Sequence, residues 1–203
     1  MLPGWVIDAG AVRHGTDVPA TAAVKPRRTR NAGDETALVS FVDVPTEELP
    51  TIYAWSGGRQ ALAHWLNRFY DLVEADELLA PVFGGSVTAE HRDHVTTWWC
   101  EVMGGPDDYT TALGGYAHML AKHRGLAITG EQRLRFVTLL SQAADDVDLR
   151  SDPELRAALM GYAEWGSRLA VENSALGATP VPNAPVPRWG WGEAPPYSPA
   201  SGR

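Results

Sequence analysis

GGRQALAHWLNRFYDLV, residues 57–73, decides the fold. Leu62, Trp65, Leu66, Phe69 and Val73 repeat at i, i+3, i+4 and i+7, the stripe of an amphipathic helix. Gly57-Gly58 punctuates its start. Downstream, Glu77 to Phe83 reads as a turn around Pro81. Thr88 is an N-cap for the next helix, whose stripe is His91, Val95, Trp98 and Val102. Gly104-Gly105-Pro106 stops that helix. A short helix leads to His123, with Gly114-Gly115 weakening its first half. Thr129 and Gln132 form a capping box for a helix carrying Phe136, Val137, Leu140 and Ala144. Asp152-Pro153 opens the last helix, with Leu155, Leu159, Tyr162 and Leu169 along it. No stretch alternates as a strand does. The expectation is one all-α domain over residues 46–174.

Both flanks differ from this domain. Residues 1–45 show no sustained period and include the basic cluster Lys25-Pro26-Arg27-Arg28-Thr29-Arg30, so they read as a flexible N-terminal arm. Residues 175–203 are rich in proline and carry Trp189-Gly190-Trp191. Proline blocks helix there, and two free indoles would waste apolar surface, so the tryptophans are expected to pack back on the domain. Docking of a partner is the other reading of that tail. The chain has 203 residues, 44% of them hydrophobic, with a net charge of −8. Such a balance argues against a general grip on nucleic acid. No apolar run reaches the ~20 residues that span a bilayer. The start lacks a basic segment followed by an apolar one, so no signal peptide is read. Cys100 is the only cysteine, which excludes an internal disulfide. Cytoplasm is the expected location.

Three side chains carry candidate chemistry. His123 lies late on its helix, where a carbonyl can hold one ring nitrogen and leave the other for a metal. Met119, one turn earlier, points to the same side. A lone histidine near a helix end is more often a partner of the helix dipole. Tyr70 sits at the edge of an apolar stripe, and a buried phenol seeks a polar partner. His91, Val95 and Trp98 share a face. His91 also reads as a first-turn histidine facing water, and Tyr70 as a core-edge tyrosine. A zinc site from His91, His94 and His123 is permitted by spacing but has no cysteine or carboxylate pattern behind it.

The ordered set is more specific than any member. Residues 51–174 resemble a truncated haemoglobin of group II. The matching motifs run collinearly: Gly57-Gly58, Phe69-Tyr70-Asp71-Leu72-Val73, and Asp76-Glu77-Leu78-Leu79-Ala80-Pro81-Val82-Phe83. Then come Glu101-Val102-Met103-Gly104-Gly105-Pro106-Asp107-Asp108-Tyr109, Met119-Leu120-Ala121-Lys122-His123, and Tyr162 to Ser174. The tail Trp189-Gly190-Trp191-Gly192 with Pro195-Pro196-Tyr197 is similar to actinobacterial-type members.

The resemblance implies a two-over-two helical sandwich around haem b, with extended irregular tails. His123 then matches the proximal iron ligand, with Met119 against the macrocycle and His118 as fallback ligand. Tyr70 and His91 match distal polar positions, with Val95 and Trp98 limiting access and Phe83 on the haem edge. Tyr109 and Lys122 are candidates for steadying the propionates. Phe136 stands where such proteins usually carry tryptophan; phenylalanine cannot donate a hydrogen bond, so Tyr70 and His91 are expected to supply the polar stabilisation. The implied ligands are dioxygen, nitric oxide and carbon monoxide. Nitric oxide dioxygenation and peroxidase-like chemistry are both open to such a site, and either needs an unidentified reductase, since the chain has no flavin or nicotinamide domain. A haem-free helical interaction domain is the alternative. Oligomeric state is left undecided.

Overall fold

A computed structural model describes residues 49–180 and 183–193, and every regular element among them is helical. A short α1 (Ile52–Ser56) precedes α2 (Gly58–Ala75), and a 3-10 turn, Ala80–Phe83, leads to α3 (Ala89–Val102). The other four are α4 (Asp108–Leu113), α5 (Gly115–His123), α6 (Gly130–Asp146) and α7 (Pro153–Ser174). The start signals act as expected. Thr88, Thr129 and Asp152 each accept a backbone N–H of the first turn, and Thr129 with Gln132 closes the capping box in both directions.

Two features were not read from sequence. Five-residue α1 is too short to show a period, yet Tyr53 N–H donates to Met103 O at 2.8 Å and ties it to the end of α3. Gly105 makes this junction possible, because a Cβ there would meet Cys100 O at 2.7 Å and the Tyr53 ring at 2.9 Å. The segment before His123 is two helices rather than one weakened helix. Gly114 at φ 86° ends α4 and lets α5 restart in a new direction.

Helices α2 and α3 pack as one layer, α6 and α7 as the other, and α2 on α6 joins them. This is the two-over-two arrangement. Leu62, Trp65, Leu66, Phe69 and Val73 on α2 are fully buried at that joint. Burying side chains of this size stabilises by about 1.5–3 kcal/mol each. Trp65 avoids an orphaned N–H by donating to Leu140 O of α6 at 2.9 Å.

The segment after α7 packs back over the domain. Trp189 N–H donates to Val102 O at 2.7 Å, and Trp191 Nε1 donates to Pro50 O at 2.8 Å. Arg188 donates to Glu101 O and Gly105 O at 2.8 and 2.7 Å. The tryptophans therefore cover the domain, as the sequence suggested. The expected arm at residues 1–45 and the basic cluster within it lie outside the described residues, as does Pro195-Pro196-Tyr197.

Candidate functional site

Helix α5 packs on α4 and α7, whereas Tyr70 and His91 belong to the α2–α3 layer. A cavity of about 750 Å³ lies between them. Tyr70, Phe83, His91, Val95, Trp98, Tyr109, Met119, Lys122, His123 and Phe136 all line it. The structure thus brings together these candidate site residues of the sequence from six segments of the chain.

His123 has a defined tautomer. Its Nδ1 lies 2.9 Å from Met119 O, one turn earlier. A carbonyl only accepts, so Nδ1 carries the proton and Nε2 keeps its lone pair free. Met119 thus contributes its backbone as well as its side chain. His118 also lines the cavity, but its ring packs edgewise on Tyr109 with centroids 6.1 Å apart. Among the described residues His123 alone of the cavity imidazoles has a ring nitrogen on a backbone carbonyl, which favours it as ligand.

The other wall is polar at one point. Tyr70 Oη and His91 Nε2 are 3.1 Å apart. Phe83 packs edgewise on both rings, at 5.8 and 6.0 Å between centroids. Phe69 packs on Tyr70 at 4.9 Å and Phe136 on Phe69 at 4.8 Å. Arg92 braces the pair from behind: it lies 5.6 Å over the Tyr70 ring and binds Asp71 at 2.8 Å, Glu74 at 3.2 Å and Asn67 O at 2.8 Å. Each anchor neighbours Tyr70 along α2, while Arg92 neighbours His91 on α3, so the network fixes the spacing of these two helices at the site.

Electrostatics set the protonation states. Burial pushes the Tyr70 phenol well above its ordinary range, against a smaller opposing pull from Arg92, so the hydroxyl stays protonated. Burial also lowers the His91 pKa, aided by the nearby basic side chains of His94, Lys122, His123 and Arg92, which disfavour a further charge. His91 is therefore neutral at pH 7. One hydrogen bond between neutral Tyr70 and neutral His91 consumes one donor. The pair can present a single proton to a ligand, not two.

Trp98 has no donor to offer the cavity, because its N–H is given to Tyr162 Oη at 2.7 Å. It acts as a wall, edge-on to Tyr109 at 5.0 Å. Tyr109 is buried there, its phenol pushed up to about 12 by desolvation. Lys122 is exposed at the rim beside His123.

Sequence reasoning missed the α7 wall, where Tyr162 and Trp165 line the same cavity. They sit three apart on one helix face, a spacing that reads as ordinary core. Arg133 of α6 also lines the cavity but is neutralised by Glu164. The zinc reading finds no support: among the described residues no three His, Cys, Asp or Glu side chains are placed to hold a metal ion.

Comparison with known proteins follows the same outline. The family model described as bacterial-like globin matches residues 51–164. A group 2 truncated haemoglobin of Bacillus subtilis (strain 168) is 28% identical over 117 residues, covering 58% of this chain and 86% of that protein. A thermostable haemoglobin from the actinobacterium Thermobifida fusca superimposes with a TM-score of 0.53 at 25% identity, over 60% of this chain and 97% of that one. The group II truncated haemoglobin of Bacillus anthracis gives a TM-score of 0.55 at 22% identity, over 62% and 92% of the two chains.

Proposed function

Because this chain belongs to the bacterial-like globin family, we propose that it holds haem b through His123 and binds dioxygen and other diatomic gases on the side of Tyr70 and His91. Members of the family bind haem b, and the residues here suit that group. The carrying observation is that one cavity is lined both by an imidazole with its Nε2 free and by the Tyr70–His91 pair. The volume and the apolar walls from Phe83, Val95, Met119 and Phe136 match a flat, largely apolar macrocycle.

When bound, haem supplies a ferrous centre with one coordination position open to a diatomic gas. The rest is done by the chain. The Met119 carbonyl holds the His123 ring and makes its free nitrogen a stronger donor. With His91 donating from Nε2 to Tyr70 Oη, the Tyr70 hydroxyl proton is left to point at a partly negative ligand. His91 is thus a positioning residue and Tyr70 the group that touches the ligand. Phe136 excludes water without donating. Lys122, exposed beside His123, would meet a propionate.

Among turnover reactions, oxidation of nitric oxide to nitrate suits this pocket best. Both reactants are diatomic, and dioxygen, nitric oxide and one electron balance one nitrate ion. The electron comes from a separate reductase. The test is to mix nitric oxide with the air-equilibrated ferrous protein and measure nitrate. Stoichiometric nitrate supports the reading; unreacted nitric oxide leaves a gas carrier or sensor.

A further inference from the structure

Helix α5 carries His123 yet is held chiefly at its ends. It has nine residues, of which only Gly115 and Leu120 are buried. So short a helix is marginal by itself and takes its direction from tertiary contacts. Its C-terminal end is tied to α7, where Ala127 N–H donates to Ser174 O and Ile128 N–H to Ser174 Oγ, each at 3.0 Å. Its N-terminal end starts from Gly114 and Gly115, at φ 86° and 61°, with no side chain capping it. Two glycines of positive φ leave the direction of the chain open, so a neighbouring contact must set it. That contact is Thr110 of α4. A Cβ on Gly115 would meet Thr110 Oγ1 at 3.5 Å and Thr110 Cα at 3.6 Å, so the hinge rests on this residue.

Thr110 is held in turn by Glu101, near the end of α3. One carboxylate oxygen accepts the Thr110 N–H at 2.9 Å and the other accepts its hydroxyl at 2.5 Å. Glu101 is 2% exposed, a rare place for a carboxylate. Among the described residues its paired cation is Arg188, 4.0 Å away on the segment after α7. The same segment, from Asn183 to Val186, borders a small groove with Thr110, Gly114 and Gly115. We infer that Glu101 and Thr110 are positioning residues for His123. The carboxylate seats Thr110, Thr110 seats the glycine hinge, and the hinge sets the angle at which α5 presents His123 Nε2 to the cavity. A buried carboxylate costs more to desolvate than an apolar side chain of its size, so Glu101 serves alignment rather than stability. The inference deepens the reading of the chain as a haem protein and rests on it.

The experiment uses the full chain, reconstituted with haem and reduced with dithionite, with loading shown by its Soret band. Resonance Raman reads the iron–histidine stretching band, which follows the tilt and strain of that bond. Thr110→Val keeps the shape of the side chain and removes its hydroxyl donor. The band should shift and broaden in this variant. Thr110→Ser keeps the hydroxyl and should leave the band where the parent has it. Glu101→Leu should move the band at least as far as Thr110→Val, and the two together little further. In the haem-free chain, amide hydrogen exchange of residues 116–123 should quicken in Thr110→Val while α2 and α6 stay as in the parent. Exchange that quickens evenly along the chain would mean plain loss of stability and would overturn the inference. So would a Soret band in the parent with an iron–histidine band that Thr110→Val leaves unmoved, the haem reading then standing. A parent that takes up no haem would overturn the proposed function and the inference together.

Discussion

Replacing Tyr70 by phenylalanine removes one hydroxyl and leaves the ring in its bed of Phe69, Phe83 and Arg92. In the proposed reading that hydroxyl donates to a bound gas, and a hydrogen bond of this kind is worth about 0.5–1.5 kcal/mol net. Oxygen release should therefore quicken by about 2- to 12-fold. Replacing His91 by leucine should also quicken release, because it frees the Tyr70 hydroxyl from its 3.1 Å partner. The informative variant is the double one. If His91 acts only by orienting Tyr70, His91→Leu does little once the hydroxyl is gone, and the pair departs from additivity by at least about 0.5 kcal/mol. Stopped-flow oxygen displacement by carbon monoxide measures all four rates. Effects that add within about 0.3 kcal/mol would mean two independent donors and would refute the shared-proton reasoning.

Three other outcomes are expected. Phe136→Trp, which puts an indole donor on the cavity wall, should slow oxygen release by up to about tenfold, read in the same instrument. Truncation after Pro180 removes Trp189 and Trp191 from their packing; uncovering two half-buried indoles should cost about 2–4 kcal/mol, seen as a lower midpoint in urea and as faster haem transfer to apomyoglobin. His91 should make the fold acid-sensitive. Its folded pKa lies below the ordinary 6.5, so unfolding takes up a proton, and the stability present above pH 6.5 is lost as pH falls through the lower folded value. The groups facing it are Tyr70 from α2, Arg92 and His94 from α3, and Lys122 and His123 from α5. Urea melts between pH 5 and 7.5 should show His91→Gln to be less pH-dependent than the parent.

The helices were legible because stripes and caps are local. Leu62 to Val73 is three turns of period, and Thr88, Thr129 and Asp152 act on N–H groups within three residues. The candidate residues that an ordered set of motifs picked out all line one cavity. The wiring between them was not legible. Nothing in the spacing of Tyr70 and His91 states that they bond each other, nor that Trp98 gives its N–H to Tyr162, since both bonds cross between helices. Helix α1 was invisible because its order comes from Met103 O, 50 residues away, rather than from its own five residues. Tyr162 and Trp165 were hidden by chemistry that serves a core and a cavity wall equally well.

The proposed bond from His123 to iron is tested most directly by the absorption spectrum of the dithionite-reduced, haem-reconstituted protein, with and without carbon monoxide, beside His123→Ala. The parent should show a five-coordinate ferrous Soret band that sharpens and shifts with carbon monoxide, and the variant should lose that form until imidazole is added. An unchanged spectrum in His123→Ala would place the ligand elsewhere and contradict the account.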